Sequence, residues 1–178
     1  MSESQAAMHE PRFTLGVVIP VPEPQRSLLR DWRRVYGGAA TAPIAPHITL
    51  ISGSYLQSWD QAANQVRRVA QGSARFTVRL ASVGSFRPAS EVVYLPLSEG
   101  AEECWELHRA LLADQLRHES QFEYHPHLTI AQNVPSADLD SAQEQLREAD
   151  LSFEVRSLQL FDTRDGAWNL SEEIGLRG

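Results

Sequence analysis

A chain of 178 residues, 42% of them hydrophobic and 22% charged, holds enough apolar material for one core of ordinary size and has the balance of a soluble globular protein. The formal net charge of −7 excludes a surface built to grip long nucleic acid through many phosphates, though a pocket within an acidic protein can still be locally positive. No apolar run approaches the roughly 20 residues of a membrane helix, and a single cysteine, Cys104, excludes an internal disulfide or a cysteine zinc cluster.

Residues 1–11 are polar and lack the basic-then-apolar order of a signal peptide, so they read as a disordered tail before one bilobal domain over residues 12–178 of a cytoplasmic protein. From Arg12 to Pro20 the β-forming run RFTLGVVIP predicts a buried strand. Pro22 and Pro24 stop it, and Leu28, Leu29, Trp32 and Val35 recur at helical spacing up to Gly37-Gly38. His47 to Ile51 predicts a second strand. Ser58 opens a helix with Trp59, Ala62, Ala63, Val66 and Val69 on one face, ending at Gly72. Ala74 to Phe86 alternates as a half-buried strand, and after the turn Arg87–Ser90 the segment Glu91–Leu97 returns as its hairpin partner.

The second half repeats the plan. Cys104, Leu107, Leu111 and Leu112 mark a helix from about Gly100 to His118, with Cys104 as a buried inert thiol. His127 to Asn133 is a strand, Ser136 caps a helix to about Ala149, and Leu151–Phe161 alternates as a strand; Trp168–Ile174 adds a short last one. The order strand, helix, strand, helix, strand over 12–80 recurs over 91–161. An α+β fold of two pseudo-symmetric lobes follows, each an antiparallel sheet with outer helices and a cleft between them.

The two middle strands carry the chemistry. Pro46-His47-Ile48-Thr49-Leu50 and Pro126-His127-Leu128-Thr129-Ile130 lie 80 residues apart. A shuffled chain of this composition would show one such pentad at a rate of about two in ten thousand, so two copies at matching places in a repeat are not accidental. On a strand, positions i and i+2 share a face. His47 and Thr49 therefore face one way and Ile48 and Leu50 enter the core; His127/Thr129 and Leu128/Ile130 divide likewise. Two facing lobes would bring both pairs across a cleft. One neutral imidazole there can take a proton from water or a ribose hydroxyl while a protonated one gives a proton to the departing oxygen. The threonine hydroxyls can donate to non-bridging phosphate oxygens.

On these residues the sequence resembles the 2H phosphoesterases, which include 2'-5' RNA ligases and RNA 2',3'-cyclic phosphodiesterases. The resemblance rests on PHITL at 46–50, HPHLTI at 125–130, the opening strand FTLGVVIP and the lobe pattern. It implies His47 and His127 as catalytic residues and Thr49 and Thr129 as phosphate binders. Many members have a basic residue shortly after the second motif; Gln132 stands at that place here. The missing charge is then expected from Arg87 or Arg12.

The remaining candidates are weaker. His125 shares a face with His127 and could join it on zinc, but no third ligand has suitable spacing, so no metal and no cofactor is expected. Phe86, Tyr94 and Tyr124 can either stack on a base or pack in strands. His108 and His118 read as helix residues, solvent-facing or packing; His9 belongs to the tail. Trp32, Trp59 and Trp105 read as core, Arg67-Arg68 as a solvated pair, and Glu102, Glu103 and Glu106 as an exposed helix face.

The function expected is hydrolysis of a 2',3'-cyclic phosphate or related ribose-linked phosphodiester, on an RNA end or a small nucleotide, by a monomer. Reversible 2'-5' ligation without ATP is possible for the same groups. His127 is expected to activate water and His47 to protonate the leaving oxygen, with the reverse order open. The alternatives are a non-catalytic module that binds phosphorylated nucleotide or RNA ends, and a structural protein with incidental histidines.

Overall fold

The computed structural model describes residues 13–41 and 43–178. The expected tail, His9 and Arg12 lie outside the described residues. Among the described residues ten strands form two five-stranded antiparallel sheets, flanked by four α-helices.

The first sheet runs β10 (Asn169–Gly175), β9 (Ser157–Asp162), β1 (Thr14–Pro20), β2 (His47–Tyr55), β6 (Leu116–His118). In the second, β5 (Val92–Glu99) pairs with β4 (Gly84–Ser85) near its start and with β3 (Phe76–Ala81) near its end, β3 pairs with β8 (Asp150–Val155), and β7 (His127–Gln132) runs beside β5. The helices are α1 (Gln25–Tyr36), α2 (Trp59–Gly72), α3 (Ala101–Leu111) and α4 (Ser136–Gln145).

The halves match and also interlock. In the first sheet β1 pairs with motif strand β2, and in the second β5 pairs with motif strand β7. The third strand of each half has changed sides: β3 lies against β5, and β9 lies against β1. The first helix of each half crosses too, α1 packing on β7 and α3 on β2. Neither sheet can bury its apolar face without elements from the other half, which joins the lobes through one main core.

Several boundaries differ from expectation. Leu151–Phe161 is two strands, not one. The buried positions are Leu151, Phe153 and Val155, then Leu158 and Leu160. The apolar phase slips by one residue at Arg156, and there the chain leaves the second sheet for the first. The third helix stops at Leu111, and Leu116–His118 pairs with the end of β2 instead of remaining helical. Gly53 permits this, because a Cβ there would lie 1.9 Å from the Arg117 carbonyl oxygen. His118 is thus a strand residue. In α4 the N-cap is Pro135, not Ser136, and the helix ends at Gln145. In α2 Ser58 does cap, its Oγ accepting the Gln61 N–H at 3.2 Å. Trp32 and Trp59 pack against the core half-buried, whereas Trp105 lies edge-on to His108 and Tyr124 beneath Arg109. Arg67 holds Glu172 at 2.7 Å and Arg68 reaches Asp114 at 3.4 Å.

Ile48 and Leu128, the residues between each His and Thr, are fully buried. Ile48→Ala and Leu128→Ala are each expected to lower unfolding free energy by about 2–5 kcal/mol, read as a shifted urea midpoint at unchanged m.

Candidate active site between the motif strands

Strands β2 and β7 lie against each other. Ile48, Leu50, Leu128 and Ile130 are buried, while His47, Thr49, His127 and Thr129 are only partly covered and line one cavity of about 660 Å³. Gln132 reaches it as well. The alternation predicted for the motifs thus holds through Leu50 and Ile130, and both strands break it at the next residue, Ile51 and Ala131, which are buried as well. Val17 pairs with Ile51 and Val18 with Thr49, so Leu50 is a bulge. Val93 pairs with Ala131 and Tyr94 with Thr129, so Ile130 is its counterpart. A bulge bends a strand and frees backbone groups from the ladder. The freed carbonyls are taken by side chains: His108 Nδ1–H donates to Leu50 O at 2.7 Å, Tyr124 O–H to Thr49 O at 2.9 Å, and Arg33 Nε–H to Thr129 O at 2.9 Å.

Each motif histidine is held the same way. His47 Nδ1 lies 2.8 Å from Ala45 O, and His127 Nδ1 lies 2.6 Å from His125 O. A carbonyl can only accept, so each Nδ1 carries the proton and each Nε2 keeps its lone pair. Both bonds span a buried proline, Pro46 or Pro126, which restricts the preceding residue to extended backbone and so sets the carbonyl two residues back.

Burial pushes His47 down to about 4, helped by the Arg33 guanidinium and by His127, against the opposing bond to Ala45. Burial also lowers His127, with His125 adding to the effect and the bond to its carbonyl opposing it. Both rings are therefore neutral at pH 7 in the free protein.

Aromatic rings set the far wall. Phe86 and Tyr94 stack at 4.2 Å and both stand edge-on to His127, at 4.9 and 5.3 Å. A second, apolar pocket of about 250 Å³ opens beyond Thr49 and His127, lined by Phe86, Phe122, Tyr124 and His125. Tyr124 is engaged in packing, stacked on His108 at 3.9 Å. Arg87 does not reach either space: it is held by Asp140 at 2.9 Å and by Gln143. Among the described residues no three His, Cys, Asp or Glu side chains are grouped to hold a metal ion. Cys104 is buried, its thiol pushed up to about 12, and is unreactive.

The two largest side chains of the cavity wall, Arg33 and Trp168, were not singled out from sequence as site residues. Arg33, on α1, is 6% exposed and lines it. Trp168 lines it too, with its ring 6.2 Å from His47 and seated over Gly16, where a Cβ would come within 2.2 Å of the indole. The sequence signals were faint: an arginine on the face between Leu29 and Tyr36, and a tryptophan ahead of the last strand.

Because His47 is held neutral, the unfolded chain binds its proton first as pH falls. Stability from this group is present above about pH 6.5 and is lost as pH drops toward 4. His47→Gln should flatten the fall in urea midpoint between pH 6.5 and 4.5; an unchanged slope would contradict a desolvated His47.

The 2'-5' RNA ligase superfamily model matches residues 20–167. A Geobacillus kaustophilus protein named as a candidate phosphoesterase is 28% identical over 171 residues, 92% of this chain and 96% of its own length. A similarly named protein of a second Geobacillus strain is 29% identical over 142 residues, 77% of this chain and 82% of its own. Among solved structures, apo Escherichia coli LigT superposes with a TM-score of 0.66 at 19% identity, covering 95% of this chain and 100% of that one. A Thermus thermophilus protein gives 0.64 at 19%, covering 93% and 98%. The bilobal α+β architecture is therefore that of LigT, and the chain belongs to the 2'-5' RNA ligase superfamily of 2H phosphoesterases.

Proposed function

We propose that the cavity between β2 and β7 is a phosphodiesterase active site acting on a 2',3'-cyclic phosphate or a related ribose-linked phosphodiester, at an RNA end or on a nucleotide. One observation carries this reading. Two histidines, each with Nδ1–H tied to its own upstream carbonyl and a bare Nε2, face one cavity together with two threonines. E. coli LigT has been solved with 3'-AMP, a nucleotide bearing a ribose phosphate, which supports the substrate class.

The electrostatics favour the opposite acid–base order from the one suggested by sequence. His47, the more strongly depressed ring beside Arg33, suits the base. His127 suits the acid, because an arriving phosphate anion stabilises its protonated form. In hydrolysis, His47 Nε2 takes a proton from water as the water oxygen bonds to phosphorus. The phosphorus–ribose oxygen bond breaks, and His127 gives its Nε2 proton to the departing oxygen. Thr49 and Thr129 hydroxyls donate to the non-bridging oxygens, where charge accumulates. With a ribose hydroxyl in place of water as the nucleophile, the same groups join it to the cyclic phosphate without ATP, the ring ribose oxygen again being the one that departs.

Turnover of 2',3'-cyclic nucleotides in the presence of chelator is the direct test. His47→Ala and His127→Ala should each fall by about 10²–10⁴-fold while remaining folded. Turnover abolished by chelator, or unaffected by either substitution, would overturn the mechanism, and binding without turnover would leave a binding module. The pH profile of the residual activity in His47→Ala separates the two roles. With His127 left as the acid, kcat/KM of that variant should decline as pH rises through the lowered pKa of His127. A residual rate that instead rises through that range would make His127 the base and contradict this order.

A further inference from the structure

Arg33 carries a charge that the protein does not neutralise. Its guanidinium is buried, and no carboxylate lies within 4 Å of it among the described residues. Burial pulls its pKa only to about 10, so it stays protonated. A buried charge without a counter-ion is costly and normally comes with a partner.

The backbone contacts account for part of the side chain. Nε–H donates to Thr129 O, and Nη1 to Ile44 O at 2.9 Å and Thr41 O at 3.4 Å. Nη2 has no partner among the described residues, yet it is not sealed in: the one enclosed side-chain polar atom lacking a partner among them is Gln115 Oε1. The crossing helix of the other half shows how little such a contact requires. On α3, His108 takes Leu50 O of β2 with one ring N–H and is closed off by the Tyr124 ring, and the carbonyl matching Thr129 O, that of Thr49, is taken by the single Tyr124 hydroxyl. A group with one donor suffices there, so the spare donors of Arg33 exceed the structural need.

Those donors sit on a shared wall. Arg33, Thr41 and Ile44 line both the histidine cavity and a neighbouring groove of about 470 Å³. Arg30 and Arg34 also line that groove, and no acidic residue does. Arg34 has an exposed ion pair with Asp31 at 3.1 Å, of the kind worth little in water, and Arg30 has none among the described residues. Residues three and four apart on a helix are neighbours on its surface, so the three guanidiniums form one cluster along α1. In a chain of net charge −7, an arginine cluster beside the reaction cavity is a local anion site. The groove also runs beneath Ala45, whose carbonyl holds His47.

We propose that this groove is a second phosphate subsite, with Arg33 facing both the reacting phosphate and its neighbour. The substrate is then a ribose phosphodiester that carries a further phosphate, as the end of an oligonucleotide does, in preference to a lone cyclic mononucleotide. This rests on the phosphodiesterase reading and narrows it. Arginine matches such a task because its planar fork binds phosphate oxygens in pairs.

The test compares a 2',3'-cyclic mononucleotide with a dinucleotide ending in a 2',3'-cyclic phosphate, using wild type and the double variant R30Q/R34Q, whose changes are exposed and helix-compatible. Wild type should favour the dinucleotide. The double variant should lose about tenfold on the dinucleotide, through KM, and leave the mononucleotide unchanged. Its log–log salt slope for the dinucleotide should be shallower by about 0.7, one single-strand phosphate. Equal use of both substrates by wild type, or an equal loss on both in the variant, would overturn the subsite. Should wild type turn over neither, the phosphodiesterase reading fails, and titration with 3'-AMP against a 3'-phosphorylated dinucleotide decides the groove: tighter dinucleotide binding that the double variant loses upholds it, and equal affinities overturn it.

Discussion

The hydrogen bond from each motif histidine to the carbonyl two residues upstream is the constraint on which the site depends. An imidazole on a strand can rotate about two bonds and can carry its proton on either nitrogen. The bonds to Ala45 O and His125 O remove both freedoms together. They leave each Nε2 as a lone pair aimed into the cavity, which is the state a proton acceptor needs before reaction and the state a proton donor returns to afterwards. The intervening proline makes the geometry local, since the segment from the carbonyl to the ring is only three residues long. The tautomers of the two rings thus depend little on distant packing. What distant packing supplies is the facing of the two strands and the removal of water, and water removal is the main cause of the lowered proton affinity of both rings.

The facing of the strands comes from exchange between halves. A repeat in which each half folded on itself would leave two lobes free to hinge. Here β3 and β9 change sheets and α1 and α3 cross to the opposite motif strand, so the distance between His47 and His127 is set by a shared core. The bulges at Leu50 and Ile130 fit into this scheme. They leave carbonyls at Thr129 and at Leu50 for the crossing elements to hold, His108 taking the one at Leu50 and Arg33 Nε the one at Thr129. The contact is at once an interlock and a way of carrying α1 side chains into the cavity wall.

Much of this was legible in the residues. The period of two in HITL and HLTI placed histidine and threonine on one face, and adjacent apolar residues in each strand, Leu50-Ile51 and Ile130-Ala131, mark the bulges. The bend at Arg156 is likewise written in the step from Val155 to Leu158. What local pattern cannot carry is partnership across the chain. Tyr124 looked available to a base because nothing nearby in sequence shows His108 stacking on it or Thr49 O accepting from it. Arg87 looked free because Asp140 is 53 residues away. Arg33 was not singled out, since its tie to Thr129 spans 96 residues.

The replacement of a charge near the second motif by Gln132 then reads differently. Gln132 and Arg33 line the same cavity, and a neutral amide beside a buried guanidinium avoids placing two cations in one low-dielectric space. A second buried cation there would lower His47 further and repel the protonated form of His127 when it forms. Arg33 lowers His47 while its own backbone bonds hold it still. Positive charge for an anion and a neutral base for water are usually in conflict, because a cation that attracts the substrate also resists the proton the base must accept. On the proposed phosphodiesterase reading the order of events resolves the conflict: an arriving phosphate neutralises Arg33 and thereby raises the proton affinity of His47, the imidazole proposed to take the proton, so that the base strengthens only when there is something to attack.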